Sequence, residues 1–224
     1  MKKNIISYAL VPTAALRIRN SMKPRNNGEN MKLYLTFDDG PDFSYTPELL
    51  DLLKKNEIKA TFFMVADFAQ SNPEIVKRIK DEGHQIALHS LEHKCMMFQD
   101  RDKTMEDISS SLRIMKDLEV DVDYFRPPWG IVNLTMLDEI KKAGMELVLW
   151  DVMAEDWRAK TTPAQIERKL ARRAGSGSII CLHDGRGRNG APKRTIKALE
   201  KMIPRWKAQG YTFAKIEEYY NKGN

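Results

Sequence analysis

The sequence predicts an α/β fold built around about seven parallel strands, and three observations carry that expectation. Short apolar runs alternate with longer segments of helical period, polar residue–proline pairs stand where helices would begin, and a glycine closes several helical segments just before the next apolar run. The apolar runs fall near 32–37, 60–65, 85–88, 123–126, 146–151, 178–183 and 211–214. Thr46-Pro47, Asn72-Pro73 and Thr162-Pro163 each set a capping side chain before a proline suited to the first helical turn. Gly83, Gly144 and Gly210 stand where a left-handed cap would end a helix. Strands alternating with helices imply right-handed crossovers, closed into a barrel or left as an open doubly wound sheet. In both, ligands gather at the carboxyl ends of the strands, so polar residues there matter most.

A chain of 224 residues supports one sizeable core, and no composition break divides it. Its 42% hydrophobic and 30% charged content excludes a disordered or membrane-embedded protein. The net charge of +6 is spread along the chain and accompanies no nucleic-acid motif, so no nucleic-acid partner is expected. Cys95 and Cys181 form no CxxC pair, which argues against a disulfide framework or a zinc knuckle. Lys2 and Lys3 precede an apolar run from Ile5 to Leu16, interrupted by Pro12. That run is too short to span a bilayer and reads equally as a signal-like segment or as an apolar arm packed on the domain. Residues 20–30 are polar and turn-rich, a linker into a domain expected over 31–224.

The first strand runs into Asp38-Asp39-Gly40-Pro41. Neighbouring side chains on extended backbone point to opposite sides, so one aspartate can serve a cation and the other a proton, although Asp is also a common turn former. The third strand leads into His89-Ser90-Leu91-Glu92-His93, and on a helical turn that spacing puts both imidazoles on one face. Two histidines with the Asp39 carboxylate make a three-ligand site with coordination open for water and substrate; Glu92 is an alternative ligand, and a histidine pair alone is as often incidental. His84 reads as a turn residue. The fourth strand ends at Arg126-Pro127-Pro128-Trp129-Gly130, a cation able to grip a carboxylate in two-pronged fashion beside a stiff turn and a large aromatic. The fifth continues from Asp151 through Met153, Glu155 and Asp156 to Trp157, and the sixth delivers His183 and Asp184 after Cys181 and Leu182. Polar clusters at five predicted strand ends describe one site better than five coincidences.

Thr36-Phe37-Asp38-Asp39-Gly40, His89 to His93, Arg126 to Gly130, Asp151 to Trp157 and Leu182-His183-Asp184 resemble the five ordered motifs of the polysaccharide deacetylase family, the NodB-like group of carbohydrate esterases, from about Met31 onward. The resemblance implies a distorted (β/α) barrel with fewer than eight strands and the removal of N-acetyl groups from amino-sugar residues of a polysaccharide such as peptidoglycan or a chitooligosaccharide. It also implies a divalent metal on Asp39, His89 and His93, with Asp38 as general base, His183 as general acid and Arg126 orienting Asp38. Zinc is the default; cobalt, nickel and iron also suit the donors. Pro128, Trp129, Trp157, Cys181 and Leu182 are the expected substrate contacts, and a backbone N–H near Trp129 is the expected oxyanion donor. A secreted or cell-envelope location follows from the same resemblance, with a cytoplasmic one as the alternative. An O-acetyl xylan esterase, another metal-dependent amidase and a non-catalytic glycan-binding module are the competing readings.

Two residues depart from the family's usual pattern. Met153 stands four residues before Trp157, where an aspartate usually tunes the acid histidine, and Cys181 stands where a leucine usually lines the acetyl pocket. Loss of that aspartate predicts a lower imidazolium pKa at His183 and an acid-shifted optimum, unless Asp151 or Asp184 substitutes for it.

Overall fold

Alternation along the strands sorts the core into two layers. On β1 (Lys32–Asp38), Leu33, Leu35 and Phe37 face the helices, whereas Tyr34, Thr36 and Asp38 face inward. The computed structural model describes residues 31–220, so the two readings of residues 1–30 lie outside it. The other strands are β2 (Thr61–Met64), β3 (Gln85–Leu88), β4 (Tyr124–Phe125), β5 (Glu146–Leu147), β6 (Val152–Met153), β7 (Ile179–His183) and β8 (Thr212–Phe213). The helices are α1 (Thr46–Lys55), α2 (Ala66–Ser71), α3 (Pro73–Asp81), α4 (Arg101–Asp117), α5 (Leu134–Lys142), α6 (Pro163–Arg173), α7 (Ala191–Ala208) and α8 (Ile216–Tyr220).

All pairings are parallel, in the order β5-β4-β3-β2-β1-β7-β6, with β8 against the start of β1. The strand expected over 146–151 is two short ones, because this stretch leaves one neighbour to reach another. β5 pairs with β4, then the chain bends; Val148 N–H still donates to Phe125 and Asp151 N–H to Ile179 before β6 pairs with β7. Since β7 also pairs with β1, the sheet closes through this bent segment into a distorted barrel, as expected. Tyr34, Phe63, Trp150 and Ile179 fill its interior, and a larger layer including Leu35, Phe62, Leu88, Ile180 and Leu199 packs it against the helices.

The expected helix starts fare unequally. Thr162 closes a full capping box with Gln165 at the head of α6. Asn72 precedes α3, but its amide donates back to Phe68 instead of capping. Thr46 is the first residue of α1, and its hydroxyl accepts from Asp42 N–H and donates to Asp184. Gly83, Gly144 and Gly210 adopt φ of 77°, 74° and 84°, the left-handed geometry their positions called for. Substituting Thr162→Ala removes the arm in which the Thr162 hydroxyl accepts from Gln165 N–H and should cost about 1 kcal/mol. Urea unfolding reads it as a lower midpoint at unchanged slope; an unmoved midpoint would mean that the box contributes no stability.

Candidate active site

Asp39, His89 and His93 are buried and converge at the carboxyl ends of β1 and β3. Asp39 Oδ1 lies 3.3 Å from His89 Nε2 and 2.9 Å from His93 Nε2. The histidines are not on a helical turn, contrary to the expectation from their spacing. Left-handed backbone at Ser90 (φ 72°) and His93 (φ 58°) folds the loop back, with His93 N–H on the Ser90 hydroxyl, and brings the rings to 5.1 Å. His89 Nδ1 meets the Arg126 carbonyl at 2.6 Å. A carbonyl only accepts, so Nδ1 carries a proton and Nε2 is the nitrogen turned to Asp39. Burial pushes the Asp39 carboxyl up, but its contacts with His89 and His93 outweigh this and hold it well below the usual carboxylate range. Asp39 Oδ1 accepts no conventional hydrogen bond, and three donor atoms from the trio lie within 4.8 Å of one another. A buried anionic oxygen beside two imidazole nitrogens is the donor set of a borderline divalent cation, so the residues fit such an ion.

The two loops that frame this trio touch through glycines. A Cβ at Gly40 would stand 2.2 Å from an Asp184 carboxylate oxygen, and one at Gly185 would stand 2.0 Å from the Asp39 carbonyl. Both contacts require the missing side chain. Asp184 is therefore a structural partner of the first motif. Its Oδ2 accepts from Thr46, and burial pushes its carboxyl up to about 7.

Asp38 faces the barrel interior beside Arg126, which is fully buried. Arg126 does not grip it with two prongs: one nitrogen, Nη1, donates to both Asp38 Oδ1 at 2.6 Å and the Thr36 hydroxyl at 2.7 Å, while Nε reaches the Val148 carbonyl at 3.4 Å. The guanidinium carbon lies 3.9 Å from the centre of the Phe63 ring, a cation–π contact that compensates part of its desolvation. The second Asp38 oxygen accepts from the Cys181 thiol at 3.3 Å. Burial, with the Asp38 charge, pushes that thiol well up, so Cys181 stays protonated and acts as a donor.

His183 has a carboxylate partner despite Met153. Asp156 Oδ1 lies 3.0 Å from His183 Nδ1, and Asp156 Oδ2 accepts from the His183 N–H and the Thr195 hydroxyl. Neither candidate replacement takes part: Asp151 accepts from Ile179 N–H, and Asp184 is held by Thr46. Burial lowers the imidazolium pKa, but the Asp156 charge and hydrogen bond, with Asp39 and Asp38 adding to them, outweigh it and raise it to about 9. The expected acid shift is thus reversed. After β6 the chain turns inward, and the aspartate three residues beyond Met153 reaches the histidine.

Asp38, Asp39, His89, His93, Cys181 and His183 line an open cleft of about 830 Å³. Trp129, half exposed at 53%, stands edge-on to His93 at 4.5 Å; Trp157 tilts against His183 at 5.2 Å. Two expected contacts are absent from the cleft wall. Leu182 alternates away from Cys181 and His183 into the outer layer, and Pro128 is buried in the turn that presents Trp129. The N–H groups of Gly130 and Ile131 are bonded to the carbonyls of Pro127 and Pro128, so neither is a ready oxyanion donor. His84, read as a turn residue, is buried behind β2 and accepts from Ala60 N–H through Nδ1. Trp150, Arg158, Arg186 and Arg188 also line the cleft. No strand-end pattern marked the arginines, which sit on loops.

The profile of the polysaccharide deacetylase family matches residues 25–148. A peptidoglycan-N-acetylglucosamine deacetylase of Bacillus cereus is 37% identical over 82% of this chain and 85% of its own length. A peptidoglycan-N-acetylglucosamine deacetylase of Listeria monocytogenes is 36% identical over 86% of this chain, which spans only 40% of that protein. A crystallised peptidoglycan N-acetylglucosamine deacetylase, in complex with 4-naphthalen-1-yl-N-oxidanyl-benzamide, superposes with a TM-score of 0.80 at 31% identity, covering 88% of this chain and 89% of its own. With motifs, barrel and relatives in agreement, the chain belongs to the polysaccharide deacetylase family.

Proposed function

We propose that this chain is a metal-dependent hydrolase that removes N-acetyl groups from amino-sugar residues of a cell-wall polysaccharide, peptidoglycan foremost. The observation that carries the reading is the register of β1 and β7, which pairs Asp38 with His183. A base and an acid thereby sit side by side on adjacent strands, and the Asp39–His89–His93 trio opens into the same cleft.

An amide is a weak electrophile with a poor leaving group, so the site must activate water, stabilise an oxyanion and protonate an amine. A divalent ion on Asp39, His89 and His93, zinc by default, supplies the charge that acidifies water and polarises the acetyl carbonyl. Asp38 accepts the proton from the attacking water. Arg126 and Cys181 hold its two oxygens, so it enters the reaction already oriented. His183, its Nδ1 fixed on Asp156, gives the Nε2 proton to the departing amine nitrogen. The Trp129 and Trp157 rings flank the opening and exclude water from around the acetamido group. A cell-wall polymer lies outside the cell membrane, so the same reading locates the protein in the cell envelope; no helix of the described residues is long and apolar enough to cross a membrane.

Metal analysis paired with acetate release from N-acetylglucosamine oligomers and peptidoglycan tests cofactor and bond together. Bound zinc and release from at least one amino-sugar polymer are expected. Release from acetylated xylan alone would turn the assignment to an esterase, and sugar binding without release would turn it to a binding module. His183→Ala should lower the rate by about 10²- to 10⁴-fold; full turnover would remove it as the acid. Asp156→Asn leaves burial to dominate His183, so the descending limb of kcat/KM should move toward acid pH. Because the folded-state pKa is raised from 6.5 to about 9, the stability contributed by the pair is fully present below 6.5 and lost as pH rises through about 9. The stability gap between wild type and Asp156→Asn should close over that window; a gap that stays constant would mean that Asp156 does not act through the imidazolium.

A further inference from the structure

The cleft has one strongly cationic wall. Arg158, in the loop after β6, and Arg186 and Arg188, in the loop after β7, line the cavity together and are exposed. Little neutralises them. Arg158 reaches Glu155 only at 3.7 Å, and Glu155 is already paired at 2.8 Å with Lys169. Arg186 stands 3.9 Å from Asp39, and Arg188 has no ion-pair partner among the described residues. The acids on the cleft wall, Asp38 and Asp39, face the Arg126 guanidinium and the imidazoles of the trio.

The arrangement is fixed from behind. Arg194 on α7 donates from Nη2 to the carbonyls of Arg158 at 2.9 Å and Arg188 at 3.1 Å, and from Nη1 to that of Asn189. Arg188 N–H bonds the Trp157 carbonyl at 3.4 Å. One half-buried guanidinium therefore ties the main chains of two loops together and sets Arg158 beside Arg188. Arginines gathered with little counter-charge keep a positive potential at the cleft mouth, and their planar forks match carboxylates. A neutral amino-sugar polymer offers them oxygen acceptors but no counter-charge.

We propose that Arg158 and Arg188, flanked by Arg186, form a carboxylate subsite, so that the preferred substrate is a glycan bearing carboxylates next to the acetylated sugar. The inference rests on the deacetylase reading and narrows its substrate class. In peptidoglycan such a carboxylate comes either from the lactyl ether of a muramic sugar that carries no stem or from the peptide stem itself.

The test compares acetate release from neutral N-acetylglucosamine oligomers, from intact peptidoglycan strands and from strands stripped of stems by an amidase. The wild-type ratio of kcat/KM, charged over neutral, should exceed one and shrink as ionic strength rises. Two partly exposed ion pairs at about threefold each predict a fall in that ratio of about tenfold in Arg158→Gln/Arg188→Gln, partly recovered by Lys at both positions. A ratio that appears on stripped strands alone identifies the lactyl carboxylate, which the amidase sets free; one shown by intact strands alone identifies the stem. Equal use of all three substrates, or a ratio that the double substitution leaves alone, overturns the subsite. Calorimetric binding of the same substrates to His183→Ala protein reads the subsite without turnover. No acetate release from any substrate would sink the deacetylase reading, whereas charge-selective binding lost in the arginine variant would still uphold the wall.

Discussion

A guanidinium fully buried inside a barrel is expensive unless its charge is matched, and the site grows from how Arg126 meets that demand. Its Nη1 takes Asp38 and Thr36 as acceptors, which joins β4 to the carboxyl end of β1 and fixes the orientation of the carboxylate proposed as the base. Its carbonyl takes His89 Nδ1–H and so turns the other imidazole nitrogen toward Asp39. One residue thus orients the proposed proton acceptor, Asp38, through its side chain and the proposed metal donor, His89, through its main chain. Removing the side chain would leave Asp38 buried without its cation, a loss larger than the value of the contact itself.

The acid is held by an analogous device on the neighbouring strand. Asp156 accepts from the His183 ring, and bonds from the His183 backbone N–H and the Thr195 hydroxyl fix that carboxylate in turn, so the imidazole is held by a partner that cannot itself swing away. Asp38 and His183, the proposed base and acid, are each locked by groups at their backs, and both line the cleft. This is preorganisation in a literal sense, since orienting these groups requires no rearrangement when substrate arrives.

Much of this was legible in the sequence because a parallel sheet sends every strand's carboxyl end to the same side. Asp38, His89, Arg126 and His183 could be read as neighbours once each was seen to end an apolar run. What failed were judgements of local backbone. The His89–His93 spacing suggested a helical turn, but two left-handed residues make a tighter loop. Position 153 suggested a lost carboxylate, yet the chain turns after β6 and offers Asp156 instead. Leu182 was assigned to the pocket, although alternation along β7 sends it outward. The arginines of the cleft wall lie on loops with no period to betray them, and only the donations from Arg194 reveal them as a group.

The contact between Gly40 and Gly185 reaches beyond the site's geometry. With the Asp39 carbonyl closing over Gly185 and the Asp184 carboxylate over Gly40, two stretches about 145 residues apart in sequence (185 − 40) leave no room for a methyl group between them. Neither stretch can lengthen, shift by a residue or gain a side chain unless the other yields in concert. For such a protein, diversification is channelled away from the reacting centre and into the outer ends of its loops, where a new partner can be accommodated while the hydrolytic machinery stays as it is.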